Sequence, residues 1–134
     1  MPTSVTLIRS DELFAAEYAY AASVASDSRL IFLAGACPLE ADGTTSAPGD
    51  YRAQAAKCVE NLLLALAAAD ATLRDVVSTR VLVATSDRGD LGAAWAVVRE
   101  AFGDHDVPST LLGVTVLGYE GQLVELEAVA AVSP

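Results

Sequence analysis

The sequence predicts an α+β fold in which two amphipathic helices cover one face of a β-sheet. Two observations support this class. Short β-rich segments alternate with two longer segments of helical periodicity, and the order is strands, helix, strand, helix and two final strands. Two helices cover only one face of such a sheet. The other face is therefore predicted to be solvated or buried against partners.

Composition favours burial between subunits. The length of 134 residues suits a single domain, 1–134, and the hydrophobic fraction of 53% is high for so short a chain. A small domain has proportionally more surface than a large one. We therefore expect the excess of apolar residues to lie in a subunit interface, as in an oligomer.

The first half of the chain predicts three strands and a helix. Val5-Thr6-Leu7 is a short strand, and "YAYAASVA" and "RLIFLAGA" are strands joined by a turn at 26–28. A loop rich in Gly and Pro leads to Asp50, which can cap a helix that runs to about Ala69. The predicted apolar stripe of this helix is Val59, Leu62, Leu63 and Leu66.

The second half predicts a strand, a helix and two strands. Residues 72–75 resemble a capping box for one short turn, and Val76 to Ala84 reads as a strand. Asp87 or Asp90 begins the second helix, which Gly103 ends. The last two strands are predicted at 109–116 and 123–132. The apolar stripe of the second helix is Leu91, Ala94, Trp95, Val98 and Phe102.

Charge and residue counts exclude several functions. The net charge is −10 with only one lysine, which disfavours nucleic-acid binding. No run reaches the roughly 18 apolar residues of a membrane span, and the N-terminus lacks the apolar core of a secretory signal, so a cytoplasmic protein is expected. Cys37, Cys58 and His105 do not make a metal site. We predict both cysteines to be buried small hydrophobes, and His105 to be structural at a helix C-terminus.

Strand alternation places two carboxylates on one face. Glu125 and Glu127 point the same way, roughly 7 Å apart at two strand rises, away from the face predicted to meet the helices. Two negative charges so close favour uptake of a proton by one of the carboxylates near neutral pH, unless this strand face is simply solvated. In the strand at 76–84, Val77, Thr79, Val81 and Val83 make an apolar face. Arg80 points away from the helices, either as an ion-pair partner or as a guanidinium for a ligand carboxylate.

Several segments together resemble the Rid family of reactive intermediate deaminases, also called YjgF-like proteins. "LIFLAGACPLEADG" is similar to the family's strand and loop, and "AQAAKCVENLLLALAAADATLRDVVSTRVLV" to its long helix and following strand. "FGDHDVPST" and "LVELEAVA" are similar to the segments that the family writes as "FgdhpPaRST" and "lvEieaiA". The resemblance extends from about Tyr18 to Ala131.

The resemblance implies a chorismate-mutase-like fold, a mixed sheet with two helices on one face. It implies a homotrimer whose bare sheet faces form a central barrel, with clefts between neighbours. Members with deaminase activity hydrolyse enamines and imines without a cofactor. An arginine before Ser-Thr pairs with the substrate carboxylate, and a glutamate in the last strand positions water with help from a tyrosine and a donor after the arginine.

The resemblance assigns catalytic positions to Glu125, Thr110 and Tyr20, with Tyr18 as a second candidate for the tyrosine. Trp95 falls where many members carry a helix asparagine near the cleft, although its place in the apolar stripe also suits packing.

At two other positions this sequence departs from the family. Ala36 stands where the family usually has glutamine, and Pro108 precedes Ser109 where the family has arginine. Proline has no charge and no N–H, so it cannot hold a carboxylate. The missing contact should weaken binding of a 2-imino acid by about 2–4 kcal/mol. Ala36, Pro108, Ser109, Trp95 and Arg80 are the predicted substrate-binding residues.

Two functional hypotheses follow, and a third conflicts with the charge. The first is a cofactor-independent enzyme that keeps the cleft and Glu125 but acts on a less acidic imine, enamine or related reactive small metabolite, by acid/base chemistry and water addition. The alternative is a non-catalytic trimer that binds a small molecule or a protein partner. The endoribonuclease activity sometimes attached to the family conflicts with the net charge of −10.

Overall fold

A four-stranded mixed sheet carries both helices. The computed structural model describes residues 4–134. A single 3₁₀ turn, Leu73–Asp75, joins the first helix to the fourth strand. The elements in chain order are β1 Val5–Ile8, β2 Ala21–Val24, β3 Arg29–Phe32, α1 Tyr51–Ala68, β4 Val76–Ala84, α2 Arg88–Phe102, β5 Ser109–Val114 and β6 Val124–Val132.

The strand order in this sheet is β3-β6-β4-β5. β6 runs antiparallel to both β3 and β4, whereas β4 and β5 are parallel because α2 forms the crossover between them. β1 and β2 form a separate antiparallel pair. The two strands predicted on either side of the turn at 26–28 therefore belong to different sheets. The α+β class predicted from the sequence is confirmed.

The predicted helix caps are also present. The Asp50 side chain accepts a hydrogen bond from the backbone N–H of Ala53 at 3.0 Å, and Asp87 caps α2 through Gly89 at 2.8 Å. Thr72 and Asp75 form the predicted capping box. Each cap satisfies a backbone donor that the first helical turn leaves free. Neither helix in residues 4–134 is long and apolar enough to cross a membrane.

The core lies between the helices and one face of the sheet. In β6 the predicted inner face, Val124, Leu126, Ala128 and Ala130, is buried. Two predicted core positions are wrong. Leu63 is 43% exposed, since it lies at the edge of the buried stripe that runs through Leu62 and Leu66. Val76 takes the buried place predicted for Val77, because the β4–β6 register shifts between Val76 and Ser78.

No helix in residues 4–134 covers the opposite face of the sheet. Cross-strand partners share a face, so Arg80 lies beside Glu127, and Leu82 beside Glu125. Phe32 pairs with Val129 on β6, and its side chain is 76% exposed. This uncovered face combines apolar and ionisable side chains, and it carries the candidate site.

Candidate functional site

Glu125 is half-buried on the uncovered face, and its carboxylate is held by neighbours from two other segments. Its Oε1 accepts hydrogen bonds from Gln122 Nε2 at 3.2 Å and from Cys37 Sγ at 3.3 Å. The loop that follows β3 is fixed beside it, since the backbones of Ala36 and Leu126 exchange hydrogen bonds of 2.7 and 3.0 Å. We call Gly35, Cys37, Gln122 and Glu125 the Glu125 cluster.

Gly35 supplies the space for this carboxylate. A Cβ atom at residue 35 would lie 2.5 Å from Glu125 Oε2 and 2.7 Å from its Cδ. The neighbouring Ala36 is buried, and its backbone forms the bridge to β6. Ala36 was predicted to bind substrate, but its side chain is part of the hydrophobic core, because it pairs with Leu126 on the face of β6 that meets the helices.

Cys37 is not the buried hydrophobe that the sequence predicted. It is half-buried, and its thiol is bonded to a carboxylate because the loop after β3 lies against β6. Asn61 of α1 holds this loop by donating to the carbonyls of Cys37 and Leu39 at 2.8 and 3.0 Å. Burial, together with the Glu125 carboxylate, raises the pKa of Cys37 to about 11. Cys58 is buried as predicted.

Gln122 is the functional candidate that the sequence did not reveal. Its side chain is only 4% exposed. Its Oε1 accepts the backbone N–H of Tyr119 at 3.1 Å, and its Nε2 also donates to the Val124 carbonyl at 3.1 Å. No motif marks this residue. The available signal was a polar side chain three positions before Glu125, at the entrance to a buried strand.

A second group of predicted residues lines a groove at the start of β5. We call it the Thr110 groove; it is lined by Tyr18, Ala19, Tyr20, Ser78, Thr79, Arg80, Pro108, Ser109 and Thr110. The rings of Tyr18 and Tyr20 meet edge to face, with centroids 5.7 Å apart. The Tyr20 hydroxyl donates to the Phe14 carbonyl. Both candidate tyrosines therefore lie in the same groove as Thr110.

Arg80 is the only charged residue among the described residues that line the Thr110 groove. It pairs with Thr110 on β5 and with Glu127 on β6. Its Nη1 lies 3.6 Å from Glu127 Oε1, and its side chain is 57% exposed. The ion pair predicted as one alternative is present but long, and the guanidinium also lines the groove, as the other alternative requires.

The segment before β5 serves both as a strand start and as a groove wall. The Pro108 carbonyl accepts the backbone N–H of Thr79 at 3.0 Å, and Ser109 Oγ accepts the Thr79 hydroxyl at 2.7 Å. The buried His105 ring bonds the carbonyl of Val76 through Nε2 at 2.8 Å, which suits its predicted structural role. The Ser109 hydroxyl is thus bonded to Thr79, while Pro108 and Thr110 line the Thr110 groove.

Trp95 of α2 lies next to the Thr110 groove. It lines an adjoining depression that shares Tyr18, Ser109 and Thr110. Its Nε1 donates to Glu17 Oε1 at 3.0 Å, and its ring also packs against the core. Trp95 therefore both packs against the core and lies beside the groove, which are the two positions that the sequence left open.

Within one chain the predicted residues form two groups. Glu125 is not among the residues lining the Thr110 groove. Along β4, Glu125 lies opposite Leu82, whereas Thr110 lies opposite Arg80, two residues away and across another strand. The first group is Glu125 with Ala36 on the adjacent loop. The second is the Thr110 groove, with Tyr20, Arg80, Pro108, Ser109 and Thr110 in its wall and Trp95 beside it.

Comparisons with known proteins agree on one family. The family model described as endoribonuclease L-PSP matches residues 11–132. A RutC family protein of Pyrococcus abyssi is 32% identical over 100 residues, which cover 75% of this chain and 76% of that protein. The crystal structure of a YjgF/YER057c/UK114 family member from Mycobacterium tuberculosis is 32% identical, with a TM-score of 0.64 over 96% of this chain and all of that one.

A solved structure of lower sequence identity has a very similar fold. It is the structure of a Rid family protein of unknown function from Yersinia pestis, 24% identical, with a TM-score of 0.87 over 96% of this chain and 99% of that one. Two helices packed on one face of a mixed sheet are therefore the YjgF-like fold that the resemblance implied.

Proposed function

Since the chain belongs to the Rid/YjgF family, we propose that it is a cofactor-independent hydrolase of imines or enamines, with a substrate changed from the usual 2-imino acids. One observation carries the proposal. The half-buried Glu125 carboxylate lies on the uncovered sheet face with Oε1 held by two neutral donors, and no donor in residues 4–134 bonds its Oε2. A carboxylate oxygen fixed in this way suits a general base.

The proposed assembly is a homotrimer in which the uncovered faces pack together. Exposed apolar side chains on this face, above all Phe32, support it. Glu125 and the Thr110 groove are separate within one chain, so a cleft between neighbours is the arrangement that unites them. In this cleft Glu125 belongs to one subunit and Tyr20 and Thr110 to the next.

The proposed reaction is addition of water to a C=N bond. Glu125 takes a proton from water while the water oxygen bonds to the imine carbon, the C=N electron pair moves to nitrogen, and Glu125 returns the proton to that nitrogen. Glu125 then takes the hydroxyl proton of the carbinolamine and passes it to nitrogen. The C–N bond breaks with its electron pair on nitrogen as the C=O bond forms, and ammonia and a carbonyl compound leave. Thr110 supplies a hydroxyl donor along the substrate, and the Tyr20 hydroxyl, which donates to the Phe14 carbonyl, offers its oxygen as an acceptor. The carboxylate is restored at the end of the cycle, so no cofactor is consumed.

The groove suggests which substrates are disfavoured. Pro108 offers no charge to a carboxylate, and Arg80 is shared with Glu127. A 2-imino acid therefore lacks the charge-assisted contact that an arginine at 108 would give. A less acidic imine has no carboxylate that requires this contact, so its binding is unaffected. A carboxylate could be bound here only by drawing Arg80 from Glu127.

Two other functions are less well supported. The family model carries an endoribonuclease description, but the net charge of −10 and the single cation of the Thr110 groove oppose binding of an RNA backbone. A non-catalytic trimer would use the same cleft for binding alone. It differs from the enzyme in one respect, because it does not need an acid or base at Glu125.

The experiment generates imines in situ with two oxidases. An amino-acid oxidase supplies 2-imino acids, an amine oxidase supplies neutral imines, and release of the carbonyl product is followed with wild type, Glu125→Gln and Pro108→Arg. Glu127→Gln is the matched control on the same strand and face. We expect wild type to accelerate hydrolysis of neutral imines, Glu125→Gln to abolish it, and Pro108→Arg to gain activity on 2-imino acids. An inert wild type with both substrates would favour the binding protein.

A further inference from the structure

The two oxygens of the Glu125 carboxylate have different surroundings. Oε1 accepts hydrogen bonds from Gln122 Nε2 at 3.2 Å and from Cys37 Sγ at 3.3 Å. Oε2 lies over Gly35, where an added Cβ would be 2.5 Å away. The side chain is thus pressed against a glycine on one side and anchored through a single oxygen on the other. Oε1 therefore has two donors, whereas Oε2 has none among residues 4–134.

The orientation of the Gln122 amide is fixed by its other contacts. Its Oε1 must accept the N–H of Tyr119, so the NH₂ group points towards the Val124 carbonyl and Glu125 Oε1. Both amide hydrogens and the carbonyl are therefore used. A buried amide is costly unless it is fully bonded, and here the carboxylate completes the set. Gln122 thus donates to Glu125 as part of a closed network.

The thiol of Cys37 is the second neutral donor. It lies 3.3 Å from Glu125 Oε1 and 3.5 Å from the Gly35 carbonyl, and the charged oxygen is the stronger acceptor. Because the pKa of Cys37 is raised to about 11, the thiol keeps its proton at neutral pH. It therefore donates to the carboxylate rather than competing with it as a second anion.

From these contacts we propose that Gln122 and Cys37 are positioning residues, which hold Glu125 Oε1 and leave Oε2 as the oxygen that exchanges a proton with water. The proposal rests on the proposed function for the identity of the reaction. The contacts themselves do not depend on it. Neither residue touches the reacting atoms, and both act by stabilising the carboxylate form and its direction.

The test combines four variants with two readouts. Gln122→Leu and Cys37→Ala remove one donor each, and Cys37→Ser keeps a donor. Gln54→Leu is the matched control, because Gln54 is also a buried amide that supports the same loop, donating to the Gly121 carbonyl at 3.0 Å and accepting the Leu123 N–H at 2.8 Å without reaching Glu125. The readouts are kcat and KM on the imine and the NMR chemical shift of the Glu125 carboxyl carbon at neutral pH.

Loss of a donor frees the carboxylate to turn away from its fixed direction, so kcat should fall while KM stays near its wild-type value. We expect kcat to fall by about tenfold in Gln122→Leu and Cys37→Ala, and the Glu125 carboxyl signal to move. Cys37→Ser and Gln54→Leu should keep the wild-type kcat and signal, even where the latter lowers stability. An equal loss in Gln54→Leu, or no loss in either donor-removing variant, would overturn the proposal.

The two proposals fail in different ways. Should no imine be hydrolysed, the proposed function fails, while NMR still shows whether the Glu125 carboxyl signal moves in Gln122→Leu and not in Gln54→Leu. Should hydrolysis depend on Glu125 but every variant keep the wild-type kcat and carboxyl signal, the function stands and the positioning role is wrong. Because Cys37→Ala is a small change, it keeps the test available where Gln122→Leu does not fold.

Discussion

Gly35 lies directly against the carboxylate of Glu125, so that a Cβ at residue 35 would be 2.5 Å from Oε2. We predict that Gly35→Ala displaces this carboxylate and lowers imine hydrolysis by about 10- to 100-fold. The crowding should also lower the free energy of unfolding by about 1–3 kcal/mol. Steady-state kinetics and urea unfolding measure the two effects.

Gly92→Ala is the control for Gly35→Ala. Gly92 lies inside α2, and a Cβ there meets nothing within 4 Å. Alanine is the better helix former, so this variant should gain about 0.5–1 kcal/mol of stability and keep its activity. Full activity in Gly35→Ala would show that Glu125 needs no fixed position.

The Cys37 thiol should react slowly at neutral pH. With a pKa of about 11, only about one thiolate in a thousand is present at pH 8. In Glu125→Gln the carboxylate that helps to raise this pKa is gone. Iodoacetamide labelling, followed by peptide mass spectrometry, should then be roughly threefold faster for each unit by which the pKa falls. Glu127→Gln should leave the labelling rate of Cys37 unchanged, and an unchanged rate in Glu125→Gln would contradict the Cys37–Glu125 contact.

The raised pKa of Cys37 also predicts how the free energy of unfolding changes at alkaline pH. Folding favours the protonated thiol of Cys37, whose pKa rises from 9.0 to about 11. Its contribution is therefore complete below pH 9 and is lost as the pH rises towards 11. We expect wild type to lose more stability than Cys37→Ser over this interval, measured by urea unfolding at pH 8 and pH 10.5. Parallel losses in the two proteins would show that folding does not raise the pKa of this thiol.

The fold was predictable because its signals are local. Asp50, Asp87 and the Thr72–Asp75 box each cap a turn formed by their own neighbours, so sequence alone marked these starts. The errors arose where the pairing between distant strands decides which residues are buried. The position of the register shift between Val76 and Ser78 depends on β6, which lies about 50 residues further along the chain.

The candidate site was predictable only in part, for the same reason. Family resemblance marked Glu125 and Thr110, but the thiol of Cys37 reaches Glu125 from 88 residues away. No pattern in the sequence joins these two segments, and composition alone made Cys37 a core residue. Gln122 was missed because its partners include the backbone N–H of Tyr119, a group that every residue except proline carries.

Arg80 should contribute to ligand binding more than to stability. Its ion pair with Glu127 is 3.6 Å long and largely exposed, so Arg80→Ala should cost less than about 1 kcal/mol of unfolding free energy. A carboxylate-bearing ligand in the Thr110 groove should bind about 10- to 100-fold more weakly to this variant, whereas a neutral analogue should bind equally well. Calorimetry with a matched acid and amide ligand measures both.

Glu127→Gln separates the two roles of Arg80. It removes the ion pair but keeps the guanidinium in the groove, so acid binding should be equal to or tighter than in wild type. Weaker acid binding in Glu127→Gln would mean that Arg80 needs Glu127 to hold its position. Equal acid binding in wild type and Arg80→Ala would remove Arg80 from the ligand site.

Phe32 should be essential for assembly if the uncovered face is the subunit interface. Its ring is 76% exposed in the isolated chain and lies on that face opposite Val129. Phe32→Glu would bury a charge in the trimer, which costs more than the interface can recover. We expect light scattering to show three times the chain mass of 13.8 kDa for wild type and a monomer for this variant.

Leu64→Glu is the matched control for Phe32→Glu. Leu64 is 64% exposed on α1, outside the uncovered sheet face, and the same charge there should leave the trimer intact. Since the proposed cleft draws Glu125 and Thr110 from different subunits, Phe32→Glu should also lose hydrolysis while remaining folded by circular dichroism. A folded, active monomer would place the whole site within one chain and overturn the intersubunit cleft.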